Sequence, residues 1–401
     1  MESKNSQIRQ LPIGWEIKKI KQCFKFKNGK GFSGELKEKA DSEFCYPVYG
    51  GNGIIGYCNN PLLEKTTIIV GRVGEYCGNV FKTQEKSWVT DNAMLVSEVL
   101  LNDFDINFWS VMLNSLHFNH YSDSTGQPKI TQGGIGAITV VYPKSVVEQT
   151  AIADILSKVD GAIASVQNSI AAAERLKKSL MQNLLTGRMK PDGTFRTPEE
   201  FYIDEKFGKV PVGWEVKSID EISERKTDVI DPTKTKEVYD YIGLEHIVPN
   251  EFTRCGKGAS NETVALKVKF EKGDVLYGKL RPYLNKLIIA DISGVGSTEL
   301  IVLRRNEFTK WIYLNFQLQR FLDYTKSMTA GTQHPRASWN DIKHYMVCIP
   351  KSSKEMDFIA DKILSIEYNK RTQQSKIEKL ERLKKSLMQN LLTGRVSMAR
   401  S

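Results

Sequence analysis

What this chain of 401 residues lacks removes several classes of function. It has no run of about 18 consecutive apolar residues, and Met1 to Gln10 are polar, so neither a membrane span nor a secretory leader is expected. Cysteine is sparse. The six (Cys23, Cys45, Cys58, Cys77, Cys255, Cys348) form no Cys-x-x-Cys pair and have no histidine at zinc spacing, so reduced thiols in a cytoplasmic protein are expected. The five histidines show no metal pairing, and no Ser/His/Asp set stands out.

Cofactor motifs are missing too. No GxxxxGK[ST] occurs, which excludes a P-loop. The Asn/Asp-Pro-Pro-aromatic motif of amino methyltransferases is absent, with Asn59-Asn60-Pro61-Leu62 its closest approach. Gly51-Asn52-Gly53-Ile54-Ile55-Gly56 has the GxGxxG spacing, but Tyr57-Cys58-Asn59-Asn60-Pro61 cannot open the helix a dinucleotide site needs. A glycine-rich turn or hairpin is the expectation there. Pro191-Asp192 with Asp204-Glu205-Lys206 copies a metal-nuclease pattern, yet these carboxylates sit in a polar connector rather than on a sheet. The chain is therefore expected to catalyse nothing and to hold no metal or cofactor of its own.

What is present is a repeat. Glu-Arg-Leu-Lys-Lys-Ser-Leu-Met-Gln-Asn-Leu-Leu-Thr-Gly-Arg runs from Glu174 to Arg188 and again from Glu381 to Arg395, an offset of 207. Pro12-Ile13-Gly14-Trp15-Glu16 returns as Pro211-Val212-Gly213-Trp214-Glu215, an offset of 199. The frames match and the sequences between them differ. The eight extra residues of the second half lie between Trp214 and Gly278, because Gly71-Arg72 aligns with Gly278-Lys279 at the longer offset.

Ser145 with Glu148, and Ser352 with Glu355, have capping-box spacing, and each opens about 41 proline-free residues ending at Gly187 or Gly394. Ile152, Leu156, Val159, Ile163, Val166, Ile170, Ala173, Leu176 and Leu180 fall at coiled-coil steps, with one skip near Ala173. The second run matches at Ile359, Ile363, Ile366, Ile377, Leu380, Leu383 and Leu387, but carries Lys370 and Gln373 in its middle. Two helices of about 60 Å that bury their seams against each other are predicted. The alternative is two separate helices, each packed on its own domain.

The segments before the helices contain short β-like runs: Thr67–Val70, Ile138–Val141, Leu287–Ile289 and Leu300–Leu303. The expected fold is mixed α/β (α+β): two pseudo-repeated domains and two long coiled-coil helices. The expected boundaries are 1–144, a first domain; 145–188, a first helix; 189–209, a connector; 210–351, a second domain; 352–395, a second helix; and 396–401, a tail.

A net charge of +10 favours an anionic partner, nucleic acid first. Candidate nucleic-acid contacts in the first half are Arg72, Asn79 and Lys82, with Gln127, Lys129, Thr131 and Gln132 in a polar loop before the last strand. In the second half they are Lys279, Arg281, Tyr283, Asn285 and Lys286, with Thr332, Gln333, His334 and Arg336 in the equivalent loop. Arg, Asn and Gln can pair with base edges while Lys neutralises phosphate.

The chain resembles the specificity subunit of type I restriction–modification enzymes. The resemblance rests on Pro12-x-Gly14-Trp15-Glu16 and its twin at Pro211, on Pro143 before the helix near Glu148-Gln149, on the twice-used LKKSLMQNLLTGR, and on Gly273-Asp274-Val275-Leu276. It implies two target-recognition domains, each reading half of a split double-stranded DNA site, held apart by antiparallel helices. It also implies that catalysis belongs to partners: methyltransferase subunits using S-adenosylmethionine, and restriction subunits using ATP. Helices of about 60 Å would cap the half-site separation at roughly 18 base pairs.

Polar residues of the long repeat are duplicated along with its leucines. Glu174, Arg175, Lys177, Lys178, Gln182 and Asn183 return as Glu381, Arg382, Lys384, Lys385, Gln389 and Asn390. Packing alone would preserve only the seam, so two identical outer surfaces for two copies of one methyltransferase partner are expected. Two rival readings are a stand-alone DNA or RNA modification enzyme, which the missing cofactor motifs oppose, and a coiled-coil scaffold that binds only proteins.

Overall fold

A computed structural model of the chain describes residues 11–122, 128–262, 264–329 and 335–396. The chain divides into two units, Met1–Asn168 with Gln374–Ser401, and Ser169–Gln373. The boundaries cut through both long helices, Val146–Leu184 and Ser353–Leu391. Each unit thus takes one sheet-rich domain, the beginning of the helix that follows it, and the end of the other helix.

In the first unit the strands are β1 (Trp15–Lys19), β2 (Phe24–Asn28), β3 (Tyr46–Gly50), β4 (Gly53–Cys58), β5 (Ile68–Gly71), β6 (Val80–Lys82), β7 (Trp88–Val89), β8 (Ala93–Val99) and β9 (Thr139–Pro143). They form sheets of order β2-β8-β5-β6 and β4-β3-β7, plus the antiparallel pair β1-β9. The glycine-rich stretch is a β3-β4 hairpin, as its turn residues predict.

The second unit holds β10 (Phe201–Asp204), β11 (Gly208–Pro211), β12 (Trp214–Ser218), β13 (Arg225–Lys226), β14 (Val229–Ile230), β15 (Asp240–Ile242), β16 (Gly258–Ala259), β17 (Lys267–Phe270), β18 (Val275–Gly278), β19 (Leu287–Ile289), β20 (Gly294–Ser297), β21 (Leu300–Leu303) and β22 (Met346–Pro350). Its sheet β13-β21-β18-β19 repeats the order β2-β8-β5-β6, and β12 pairs with β22 as β1 pairs with β9. All four β-like runs read from the sequence are strands.

The two short repeated motifs meet the helices at both ends. Trp15 Nε1 donates to Glu148 Oε1 at 3.3 Å, and Trp214 Nε1 donates to Glu355 Oε1 at 3.2 Å. The cap half of the box forms, with Glu148 N to Ser145 Oγ at 3.4 Å and Glu355 N to Ser352 Oγ at 3.3 Å. The glutamate carboxylates, however, hold the tryptophans. At the opposite helix ends Gly187 and Gly394 adopt φ of +66° and +67°, the left-handed stop. A Cβ on Gly187 would lie 2.2 Å from Pro211 Cγ, and one on Gly394 would lie 2.7 Å from Pro12 Cγ. Each Pro-x-Gly-Trp-Glu therefore touches the start of one long helix and the end of the other.

The helices run antiparallel within each unit. In the second, Glu174 pairs with Lys370 at 2.6 Å while Lys177 pairs with Glu367 at 3.5 Å. In the first, Asp160 meets Lys384 at 2.6 Å, and Leu391 and Leu392 join the core of Trp15, Trp109, Ile152 and Leu156. The expected seam is broken at matching places. Leu176 and Leu383 are 52% and 47% exposed, while their neighbours Lys177 and Lys384 turn toward carboxylates. The seam itself keeps its three- and four-residue steps, through Val166, Ile170, Ala173, Lys177, Leu180 and Leu184 and through Ile377, Leu380, Lys384, Leu387 and Leu391, so at each matching place a lysine holds the seam position and the leucine before it faces outward.

The connector is folded rather than merely polar. β10 and β11 form a hairpin within it. Asp192 accepts from Thr194 N at 2.8 Å, and Asp204 from Lys206 N at 2.9 Å and Phe207 N at 2.7 Å, so these carboxylates shape turns. Arg196 reaches Glu355 at 2.9 Å and Gly187 O at 2.8 Å, tying the end of the first helix to the start of the second. Among the described residues no helix is long and apolar enough to cross a membrane, and no His/Cys/Asp/Glu group could hold a metal ion.

Candidate nucleic-acid interface

In the first unit β5 ends at Gly71, and the chain continues as Arg72-Val73-Gly74 beside Pro128-Lys129-Ile130. Ile130 N donates to Arg72 O at 2.9 Å and Gly74 N to Pro128 O at 3.0 Å. Val73 and Lys129 form an antiparallel bridge. The second unit repeats this with a uniform shift of 207: Ala337 N donates to Lys279 O at 2.9 Å, Arg281 N to Pro335 O at 2.8 Å, and Leu280 bridges Arg336. The two loops singled out in each half are thus partners in one local structure.

Gly71 is required there by close backbone approach, whereas Gly278 lies against a side chain. A Cβ on Gly71 would sit 2.3 Å from Gly51 O, and one on Gly278 would sit 2.8 Å from Leu244 Cδ2. The turn after β3 and the turn after β15 therefore lie under these loops.

The side chains are held as follows. Arg72 Nη1 donates to Asp91 O at 3.2 Å, Asn79 Nδ2 to Asn52 Oδ1 at 3.2 Å, and Gln132 Nε2 to Asn28 Oδ1 at 3.2 Å. Thr131 caps the helix Gln132–Ala137 by accepting from Gly134 N at 3.1 Å. Lys129, Thr131 and Gln132 are exposed, and Arg72 and Asn79 are half-buried. In the second unit Arg336 pairs with Glu299 at 3.0 Å, Lys279 Nζ donates to Thr298 O, and Lys286 Nζ donates to Leu244 O at 2.5 Å. Burial lowers the pKa of Lys279, an effect that Glu299 opposes. Arg281 is exposed at φ +53°, a conformation rare outside glycine.

Two candidates stand apart from these clusters. Asn285 is 1% exposed and donates to Phe316 O at 2.9 Å, so its amide supports the fold and is not available to a duplex. Lys82 lies opposite Ile68, at the far end of β5 from Gly71, and binds Asn107 Oδ1 at 2.6 Å. Tyr283 is exposed beside Arg281. Gln127, Thr332, Gln333 and His334 lie outside the described residues. Sequence reasoning missed Asn52, Leu244, Glu245 and Glu299, which the chain brings to the loops. The glycines Gly71 and Gly278, repeated at the end of a strand, were the available signal of a close neighbour.

Of the helix residues, Arg175, Lys178, Gln182, Arg382, Lys385 and Gln389 are exposed. Glu174 is exposed but engaged with Lys370, Glu381 is exposed, and Asn183 and Asn390 are half-buried. Lys177 departs from the expected outer surface. Its side chain is 14% exposed, and its ammonium donates to Gln317 at 2.7 Å and faces Glu367.

A family model described as the type I restriction modification DNA specificity domain matches residues 12–175. The specificity subunit of type I restriction enzyme EcoprrI of Escherichia coli is 29% identical over 167 residues, 41% of this chain and 40% of that protein. That of EcoDI, also from Escherichia coli, is 22% identical over 87% of this chain and 81% of its own length. The crystal structure of an S subunit from M. genitalium superposes with a TM-score of 0.65 at 17% identity, covering 94% of this chain and 96% of that one, and so shares the fold. Over residues 12–175 the chain is thus similar to the type I restriction modification DNA specificity domain, and over most of its length it resembles the specificity subunits of type I restriction enzymes.

Proposed function

We propose that each unit reads one half of a bipartite, asymmetric double-stranded DNA site, and that the chain itself catalyses nothing. The observation that carries this is the matched frame. Arg72 with Lys129 and Lys279 with Arg336 occupy equivalent backbone positions, while the side chains around them differ. Equal frames with unequal side chains suit two unlike half-sites.

In the same reading the exposed residues Arg175, Lys178 and Gln182, and their copies Arg382, Lys385 and Gln389, dock two copies of one methyltransferase subunit. Leu176 and Leu383, exposed at matching positions, add an apolar contact to each surface. S-adenosylmethionine and ATP are then used by the methyltransferase and restriction partners in a cytoplasmic complex. Methylome sequencing of a host carrying this chain and its methyltransferase partner tests the proposal. A split motif with unlike halves is expected; a continuous or fully palindromic motif contradicts it.

A further inference from the structure

The parallel strand pairs place two side chains at one position of the duplicated frame. β3 runs parallel to β7 with Tyr49 opposite Val89, and β15 runs parallel to β20 with Ile242 opposite Gly296. Val89 and Gly296 are 207 apart, so Tyr49 corresponds to Ile242, Gly51 to Leu244 and Asn52 to Glu245. The glycine contacts agree independently, because Gly71 meets Gly51 and Gly278 meets Leu244. Alignment by repeats alone hides this. The offset is 199 at the tryptophans, 193 at these turns and 207 beyond them.

Both side chains are exposed and both adjoin the basic loops. Asn52 accepts from Asn79 Nδ2 at 3.2 Å, which orients its amide and leaves its oxygen a second lone pair. Glu245 is 62% exposed on its side chain and follows Leu244, whose carbonyl binds Lys286 Nζ. Its turn is fixed by His246, whose Nδ1 accepts from Gly243 N at 3.0 Å.

A carboxylate facing DNA is repelled by phosphate. The groups on a duplex that favour it are exocyclic amines in the major groove, and cytosine N4 is its usual partner. An asparagine amide instead matches the N6 and N7 pattern of adenine. We propose that Asn52 and Glu245 are the equivalent specificity-determining residues of the two domains, Asn52 reading an adenine in one half-site and Glu245 a cytosine in the other. The inference rests on the bipartite reading above.

The test is selection from a randomised duplex library by the chain in complex with its methyltransferase partner, repeated with Asn52→Ala and Glu245→Gln. Asn52→Ala should relax discrimination by about tenfold or more at one adenine of one half. Glu245→Gln should do the same at one cytosine of the other half, with the remaining positions unchanged. Both side chains are exposed, so thermal unfolding should match wild type; if a variant fails to fold, Asn52→Asp or Glu245→Asp replaces it. A wild-type split motif that neither variant alters, or that weakens evenly at all positions, overturns the assignment while leaving the bipartite reading intact. A wild-type complex that selects no split motif overturns both.

Discussion

Lys177 Nζ lies 3.5 Å from Glu367 Oε2, with the two side chains 14% and 8% exposed, although Lys177 belongs to a duplicated segment whose polar residues suggest an outer surface. Tyr313 donates to the same carboxylate at 2.8 Å, and Lys177 also caps Gln317. Its copy, Lys384, pairs with Asp160 where both side chains are a third to a half exposed. One sequence thus serves a buried link in one unit and a solvated one in the other.

Reversing the charge at Lys177 should therefore destabilise the second unit by about 3–5 kcal/mol, since it leaves Glu367 buried against a like charge. The same change at Lys384 should cost no more than about 1 kcal/mol. Urea denaturation of the two variants separates these outcomes; equal effects would contradict the asymmetry.

Docking is better tested at Lys178 and Lys385, which are exposed. Lys178→Glu should remove one methyltransferase copy, and adding Lys385→Glu should remove the second, with stability changed by less than about 0.5 kcal/mol. Native mass spectrometry reads the copy number directly. Retention of both copies by the double variant would move the docking surface elsewhere.

Asp274, at 0% exposure, pairs with Lys226 at 2.9 Å and accepts from Glu271 N and Arg305 N. Asp274→Ala should cost about 3–5 kcal/mol, because it leaves the buried ammonium only the exposed Glu271 carboxylate at 3.3 Å and strands two backbone donors. A melting temperature within a degree or two of wild type would show that Glu271 alone suffices to hold Lys226.

Arg281→Ala separates base reading from phosphate contact. Loss of discrimination at one base pair by about 1–3 kcal/mol marks the former. A uniform loss of affinity with a salt slope reduced by about 1 marks the latter. Binding unchanged by both measures removes Arg281 from the interface.

Most of the frame was legible because it is written twice. Helix caps, short apolar strands bounded by turn residues and the tryptophan motifs depend on local spacing, so their positions follow from residue order. The seam was misread at Leu176 and Leu383, because residue type points to the leucine while the three- and four-residue steps place the neighbouring Lys177 and Lys384 on the seam, where carboxylates receive them. Asn285 looked like a basic-loop residue, yet the left-handed turn at φ +39° swings it inward to Phe316. Asn52 and Glu245 were invisible for a different reason: insertions on either side shift their registers, and only strand pairing restores the match.

Leu391 and Leu392 are 3% and 5% exposed in the core that contains Trp15 and Trp109. A ribosome making this chain at roughly 5–20 residues per second releases the first domain long before those leucines exist. That domain must wait tens of seconds with its apolar floor uncovered, whereas the second unit is continuous in sequence and can close as it emerges. The vulnerable interval in the life of this protein is therefore its birth, and the half made first is the half finished last.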